Sequence, residues 1–137
     1  MAHKCSKRRE SGMSAEDAVA RAERYLETAE MLIEEGDYES SVSRSYYAMF
    51  FVARALLKKT GSEPQTHSGI RNQFGLHFVK EGPLPKRFAN MLNDAEEMRT
   101  LADYAEEFVL TEDDARTTIQ DAEAFIEQMS DLLDDEL

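Results

Sequence analysis

The sequence predicts an all-α protein: an antiparallel up-and-down four-helix bundle with one additional short helix. Three observations carry this. The 137 residues include only six Gly, three Pro and no Trp, and are rich in Ala, Glu, Leu and Arg, a balance that favours helix over sheet. Apolar side chains recur at helical spacing in four long stretches. The breaks between those stretches are short, so successive helices must run antiparallel. The length suits one domain with a sizeable core, with residues 1–13 read as a flexible basic tail and 14–137 as the bundle.

The elements follow in order. Ser14 with Asp17 three residues on gives a capping-box-like start, and Ala18, Ala22, Tyr25, Leu26, Ala29, Leu32 and Ile33 recur at helical spacing until Gly36 stops the helix near Glu35. Its other face carries Glu16, Glu23, Glu27, Glu30 and Glu34, read as solvated. Asp37 is the expected N-cap of a second helix running to about Thr60, with Gly61 past its end. Within Ser43–Leu57, bulky apolar groups occupy nearly the whole circumference, so this helix must be enclosed by the others. Arg44 and Phe51, two turns apart, share a face of it.

Thr66 caps a short third helix whose apolar face is Ile70, Phe74, His77 and Phe78, ended by Gly82-Pro83-Leu84-Pro85. Gly69 and Gly75 weaken it by about 1 kcal/mol each relative to Ala and leave room for a close backbone or ligand. Pro85 suits the first turn of a fourth helix, striped by Phe88, Met91, Leu92, Ala95, Met98, Ala102 and Ala105 and finishing near Glu107. Thr111 and Asp114 repeat the capping-box pattern and open a fifth, with Ala115, Ile119, Ala122, Ile126, Met129 and Leu133 inward and Asp134–Leu137 expected to fray.

The net charge of -12 opposes sequence-independent binding to nucleic acid, but it is an average over segregated regions. Residues 41–93 carry eight basic and two acidic side chains, whereas 94–137 carry two and sixteen. An anionic ligand is therefore expected near the second and third helices. The alternative is a solvated surface of uneven charge. The single Cys5 has no disulfide partner and no zinc-type neighbours. No stretch has the roughly 20 apolar residues of a membrane span, and no signal-peptide block follows the basic start. A cytoplasmic protein with no cofactor, no metal and no membrane partner is expected.

Three segments in this order carry a resemblance: Arg44-Ser-Tyr-Tyr-Ala-Met-Phe with Ala53-Arg-Ala-Leu-Leu, then Thr66-His-Ser-Gly with Phe74-Gly-Leu-His-Phe-Val79, then Arg99-Thr-Leu-Ala-Asp-Tyr104. Together the chain resembles a HEPN-domain protein of the small stand-alone prokaryotic type, over about residues 15–130. The resemblance implies a helical bundle that dimerises. It also implies a toxin-antitoxin context with a minimal nucleotidyltransferase partner, in which the HEPN subunit is a metal-independent ribonuclease using an arginine followed four to six residues later by a histidine. Arginine would stabilise charge on the phosphorane while imidazole moves the proton.

This sequence departs from that pattern at both places. After Arg44 and Ser45 comes Phe51 where relatives often have histidine, and after Arg99 come Asp103 and Tyr104. Phe51 cannot transfer a proton, and a phenol is a poor base at neutral pH. The catalytic candidates are thus Arg44, Arg99, Tyr104 and His67, none forming a complete constellation. The ligand-binding candidates are Arg44, Ser45, Tyr47, Phe51, His67, Arg71, Arg99 and Asp103. Each has a plainer reading: Arg44 paired to an acidic helix, Arg99 with Asp103 as a helical ion pair, Tyr46 and Tyr47 as core aromatics, and His67 as a turn histidine. His77 reads as a satisfied core or interface residue.

The leading functional expectation is a HEPN subunit that binds nucleotide, RNA or a nucleotidyltransferase, with its ribonuclease histidine missing. The first alternative is an active metal-independent ribonuclease, with His67 or His77 supplying the proton transfer. The second is a homodimeric scaffold or interaction module, since Gly36-Asp-Tyr-Glu and the following tyrosines resemble a tetratricopeptide hairpin without a second copy. A homodimer is expected through the second or fourth helix, because the second carries more bulk than one bundle encloses.

Overall fold

The computed structural model describes residues 15–104 and 107–135. The basic tail expected over 1–13, Cys5, the Ser14 cap and Ala105 lie outside the described residues. The chain folds as α1 (Ala15–Glu34), α2 (Tyr38–Lys59), α3 (His67–Phe74), a π-helical turn (Gly75–Lys80), α4 (Lys86–Tyr104) and α5 (Glu112–Asp135). The expected all-α bundle is the observed architecture.

Local chemistry sets each boundary. Gly36, at φ 83°, closes α1 in the left-handed conformation that glycine reaches without penalty. The amide of Asp37 then donates back to the Leu32 carbonyl at 2.9 Å. Asp37 itself accepts from the Ser40 amide at 3.2 Å and caps α2. Gly61, at φ 88°, repeats the closing device after α2, with the Ser62 amide reaching the Leu57 carbonyl. The Thr111 and Asp114 capping box forms in both directions, at 3.1 and 3.0 Å. Asp134, expected to fray, is still helical.

α2 is the central rod. It packs against α1, α3, α4 and α5, and Tyr46, Met49, Phe50, Val52, Leu56 and Leu57 are all buried. Each such side chain contributes about 1.5–3 kcal/mol relative to exposure. Phe74, Phe88 and Phe125 join this core from α3, α4 and α5. A second cluster of Ala29, Ile33, Val42, Leu110, Ala115 and Ile119 closes the end where α1 turns into α2. α4 is the loosest wall, burying only Phe88, Leu92 and Ala95, because Met91, Met98 and Ala102 reach the core only in part.

The structure refines the sequence expectations along α3 and α4. The segment after Phe74 widens into a π turn instead of continuing as α-helix, and Phe74 and Phe78 are both buried in the core. A Cβ added at Gly75 would meet nothing within 4 Å among the described residues, while at Gly69 it would press on the Thr66 hydroxyl that caps α3. The described part of α4 ends at Tyr104, the two residues before Glu107 lie outside the described residues, and Pro85 precedes the helix, its carbonyl accepting from the Phe88 amide.

Candidate functional site

Two adjacent pairs of aromatics on α2, Tyr46 with Tyr47 and Phe50 with Phe51, organise the site. Tyr46 and Phe50 point inward and are buried, whereas Tyr47 and Phe51 are half-buried at the rim. The remaining groups arrive from other helices and settle on these rings.

On one side stands α3. Its Thr66 cap accepts from the Gly69 amide at 2.9 Å and starts the helix so that His67 stacks on Phe50, with centroids 4.2 Å apart. The imidazole also meets Tyr47 at 5.8 Å and Tyr46 at 6.3 Å. One turn on, Arg71 donates to the Tyr46 hydroxyl at 3.2 Å. From α4, Arg99 lays its guanidinium over Tyr46 and Tyr47, at 5.4 and 5.5 Å from the ring centres. Glu96 ties the two arginines together, accepting from Arg99 at 3.0 Å and lying 3.8 Å from Arg71.

On the other side is α1. Tyr25 meets Phe51 edge-on at 5.5 Å. Arg21 sits 4.1 Å over Phe51 and donates to the Tyr25 hydroxyl. Arg44 lies 4.9 Å over Tyr25, and Arg54 lies 5.2 Å over Phe51. Neither Arg44 nor Arg54 forms an ion pair with a carboxylate among the described residues. The aromatic strip is therefore bordered by guanidinium groups along both edges.

The electrostatics follow from this packing. Burial against the rings pushes the His67 imidazole below its ordinary value, and the charges of Arg99, Arg71 and Arg54 act the same way against the opposing pull of Glu96. Burial and the nearby Arg21 charge also lower Arg54. Burial raises the Tyr46 phenol despite the hydrogen bond from Arg71, whereas the hydrogen bond from Arg21 lowers Tyr25. For Arg99, burial acts downward but is outweighed by Glu96, and the guanidinium is held upward.

The sequence candidates divide accordingly. Arg44, Tyr47, Phe51, His67, Arg71 and Arg99 converge on this one face. Ser45 does not, because its hydroxyl is wholly buried and has no hydrogen-bond partner among the described residues. Asp103 reaches Arg99 only at 3.9 Å, so the main partner of Arg99 is Glu96, a residue sequence reasoning passed over. Tyr104 is 83% exposed beyond the arginine. His77 is half-buried and bonded to Gln73 at 2.9 Å, outside the cluster. Arg21, Tyr25 and Phe50 were not among the candidates, and Arg54 was marked only as one of the basic residues of 41–93 near which an anionic ligand was expected. The four-residue spacing of Arg21 and Tyr25, like that of Phe50 and Arg54, was the available signal. Among the described residues no three His, Cys, Asp or Glu side chains converge as metal ligands would.

An all-helical bundle with an arginine-bordered aromatic face on its central helix defines the class. The HEPN domain matches residues 15–132, and the chain belongs to that family. It is 44% identical over 89 residues to a "UPF0332 protein" of Gloeobacter violaceus, covering 65% of this chain and 71% of the relative. It is 35% identical to a "Putative toxin" of Methanocaldococcus jannaschii, covering 82% of this chain and 83% of the relative. The crystal structure of an archaeal HEPN homologue shares the fold with a TM-score of 0.69 at 23% identity, over 88% of this chain and 98% of that one. No helix among the described residues is long and apolar enough to cross a membrane.

Proposed function

We propose that this chain is a toxin-type HEPN subunit of the cytoplasm that binds RNA, or a nucleotide of the same chemistry, on the face formed by α1 to α4. The observation that carries this is the alternation of guanidinium groups and aromatic rings. Arginines supply phosphate contacts, and Tyr47 and Phe51 offer half-buried surfaces on which a base can stack. Arg44 and Arg54 suit an external anion because no internal carboxylate neutralises them among the described residues. The relatives named as toxins support the same reading.

In this proposal the chain is homodimeric and works with a minimal nucleotidyltransferase. The half-buried strip on α2 and the thinly packed α4, whose Leu101 and Tyr104 are exposed, are the surfaces such partners would cover. Titrating a labelled single-stranded RNA with the full chain tests the binding reading. Saturable binding that weakens steeply with salt is expected. Absence of binding at low salt, together with tight self-association, would favour the scaffold reading instead.

A further inference from the structure

We propose that the acidic groove between α1 and α5 is a docking surface for a basic segment of this same chain, residues 4–9. The inference goes beyond RNA binding and does not rest on it. The groove encloses about 490 Å³ and is lined by six carboxylates: Glu23, Glu27 and Glu30 from α1, and Glu123, Glu127 and Asp131 from α5. No lysine or arginine is among its lining residues, and none of the six forms an ion pair among the described residues. Glu30 feels the charge of Arg116, which Glu112 itself holds at 2.7 Å. Glu23 with Glu27, and Glu123 with Glu127, stand four residues apart on their helices, a spacing at which like charges destabilise. A cationic occupant relieves that repulsion.

Charge and reach choose the occupant. Residues 4–9 read Lys-Cys-Ser-Lys-Arg-Arg, four cations and no acid, whereas residues 94–137 carry two basic and sixteen acidic side chains. The segment lies outside the described residues and joins α1 at Ala15, one turn before Val19 at the near end of the groove. The helix rises about 22 Å from Ala15 to Glu30. An extended chain covers about 3.3 Å per residue, so Arg9 can lie about 20 Å from Ala15 and Lys4 about 36 Å. All four cations are therefore within reach of the groove. Val19 is half-buried, and with Leu26 and Ile126 it gives the lysine and arginine stems an apolar floor. So short a tether holds the segment at millimolar effective concentration, and weak exposed ion pairs then suffice to seat it. The seated cations are withheld from outside polyanions. With six carboxylates against four cations, the flank stays acidic when filled.

The chain's single cysteine, Cys5, falls inside the segment and takes a nitroxide spin label on the full chain. At low salt the backbone amides of Glu27, Glu30, Glu123 and Glu127 should lose most of their NMR signal intensity relative to the reduced label, while those of α3 keep theirs. Raising the salt to 1 M, where the Debye length is about 3 Å, should restore the lost signals. Lys7→Ser with Arg8→Ser and Arg9→Ser removes the segment's charge without altering a described residue, and Glu27→Lys with Glu123→Lys reverses the groove. Either set should restore the signals at low salt, and the first does so with every helix unchanged in sequence. Signal loss that survives the first set overturns the proposal, as does loss centred on the amides around Arg44 and Arg54. Weak loss spread evenly over all the helices overturns it as well.

Discussion

Two flanks of the bundle carry opposite instructions. Along α2, α3 and α4, arginines lie over aromatic rings and Arg44 and Arg54 lack carboxylate partners among the described residues. Between α1 and α5 lies a groove of about 490 Å³ whose floor is Val19, Leu26 and Ile126 and whose walls include Glu23, Glu27, Glu30, Glu123, Glu127 and Asp131. α1 belongs to both. At about 100° per residue, Arg21 and Tyr25 leave one side of that helix, and Glu23, Glu27 and Glu30 leave the other. The difference teaches that a net charge of -12 says little about ligand choice. The sign that a ligand meets is set by which side of a helix it approaches.

The strongest way to break this contrast is to remove Arg99. Arg99→Ala takes a cation off Tyr46 and Tyr47 and leaves Glu96 short of its principal partner. RNA affinity should fall about 10- to 100-fold, the equivalent of a charge-assisted hydrogen bond worth about 1.5–3 kcal/mol. Fluorescence anisotropy measures it, and an unchanged Kd would remove α4 from the binding face. Next in size is the pair Arg44→Ala with Arg54→Ala. If both contact phosphate, the slope of log affinity against log salt should drop by about 1.4, since each contact on a single strand contributes about 0.7. A slope equal to wild type would return both residues to the solvated surface.

His67 on the cationic face and Asp121, on the side of α5 toward Asp94 of α4, should respond to pH with opposite signs. The imidazole of His67 is lowered in the folded state, so its contribution to stability is present above the unfolded value near 6.5 and is lost as pH falls through the folded value. Asp121 on α5 is raised, chiefly by burial and then by Asp94. Its carboxylate therefore opposes folding at neutral pH, and that penalty disappears as pH falls through the folded value. Asp121→Asn should raise the thermal midpoint at pH 7 by a few degrees and have no effect at pH 3. A loss of stability at pH 7 would show that the charged form is needed.

The smallest effect expected is at Ser45. Its buried hydroxyl lacks a hydrogen-bond partner among the described residues, so Ser45→Ala should leave RNA affinity unchanged and shift stability by less than about 1 kcal/mol, toward greater stability. A drop in affinity would mean that the site extends behind the aromatic face.

The fold was legible where side-chain periodicity and caps agree. Gly36, Asp37, Gly61, Thr66 and Thr111 all sit where their chemistry placed them. The π turn at Gly75–Lys80 was not legible, because Phe74 and Phe78 keep an ordinary four-residue helical spacing whichever turn connects them. The site was legible in part. Arg44, Tyr47, Phe51, His67, Arg71 and Arg99 stood out by type and position. Arg21 and Tyr25 did not, since nothing local says that α1 turns that side toward Phe51. Glu96 was hidden by Asp103: both spacings place a carboxylate beside Arg99, and only the three-dimensional position of Arg71 favours the nearer one.

The division of α1 into a cationic and an acidic side has a kinetic consequence. A polyanion approaching from the α5 side is repelled before contact, and one approaching from the α2 side is drawn in, so the molecule works as an orienting dipole during encounter. In the RNA-binding reading proposed above, the acidic flank would shape how quickly RNA arrives in register without touching it. Reversing Glu27 and Glu123 to lysine should alter the association rate at low ionic strength far more than the dissociation rate, and the difference should fade once the Debye length shrinks to about 8 Å near physiological salt.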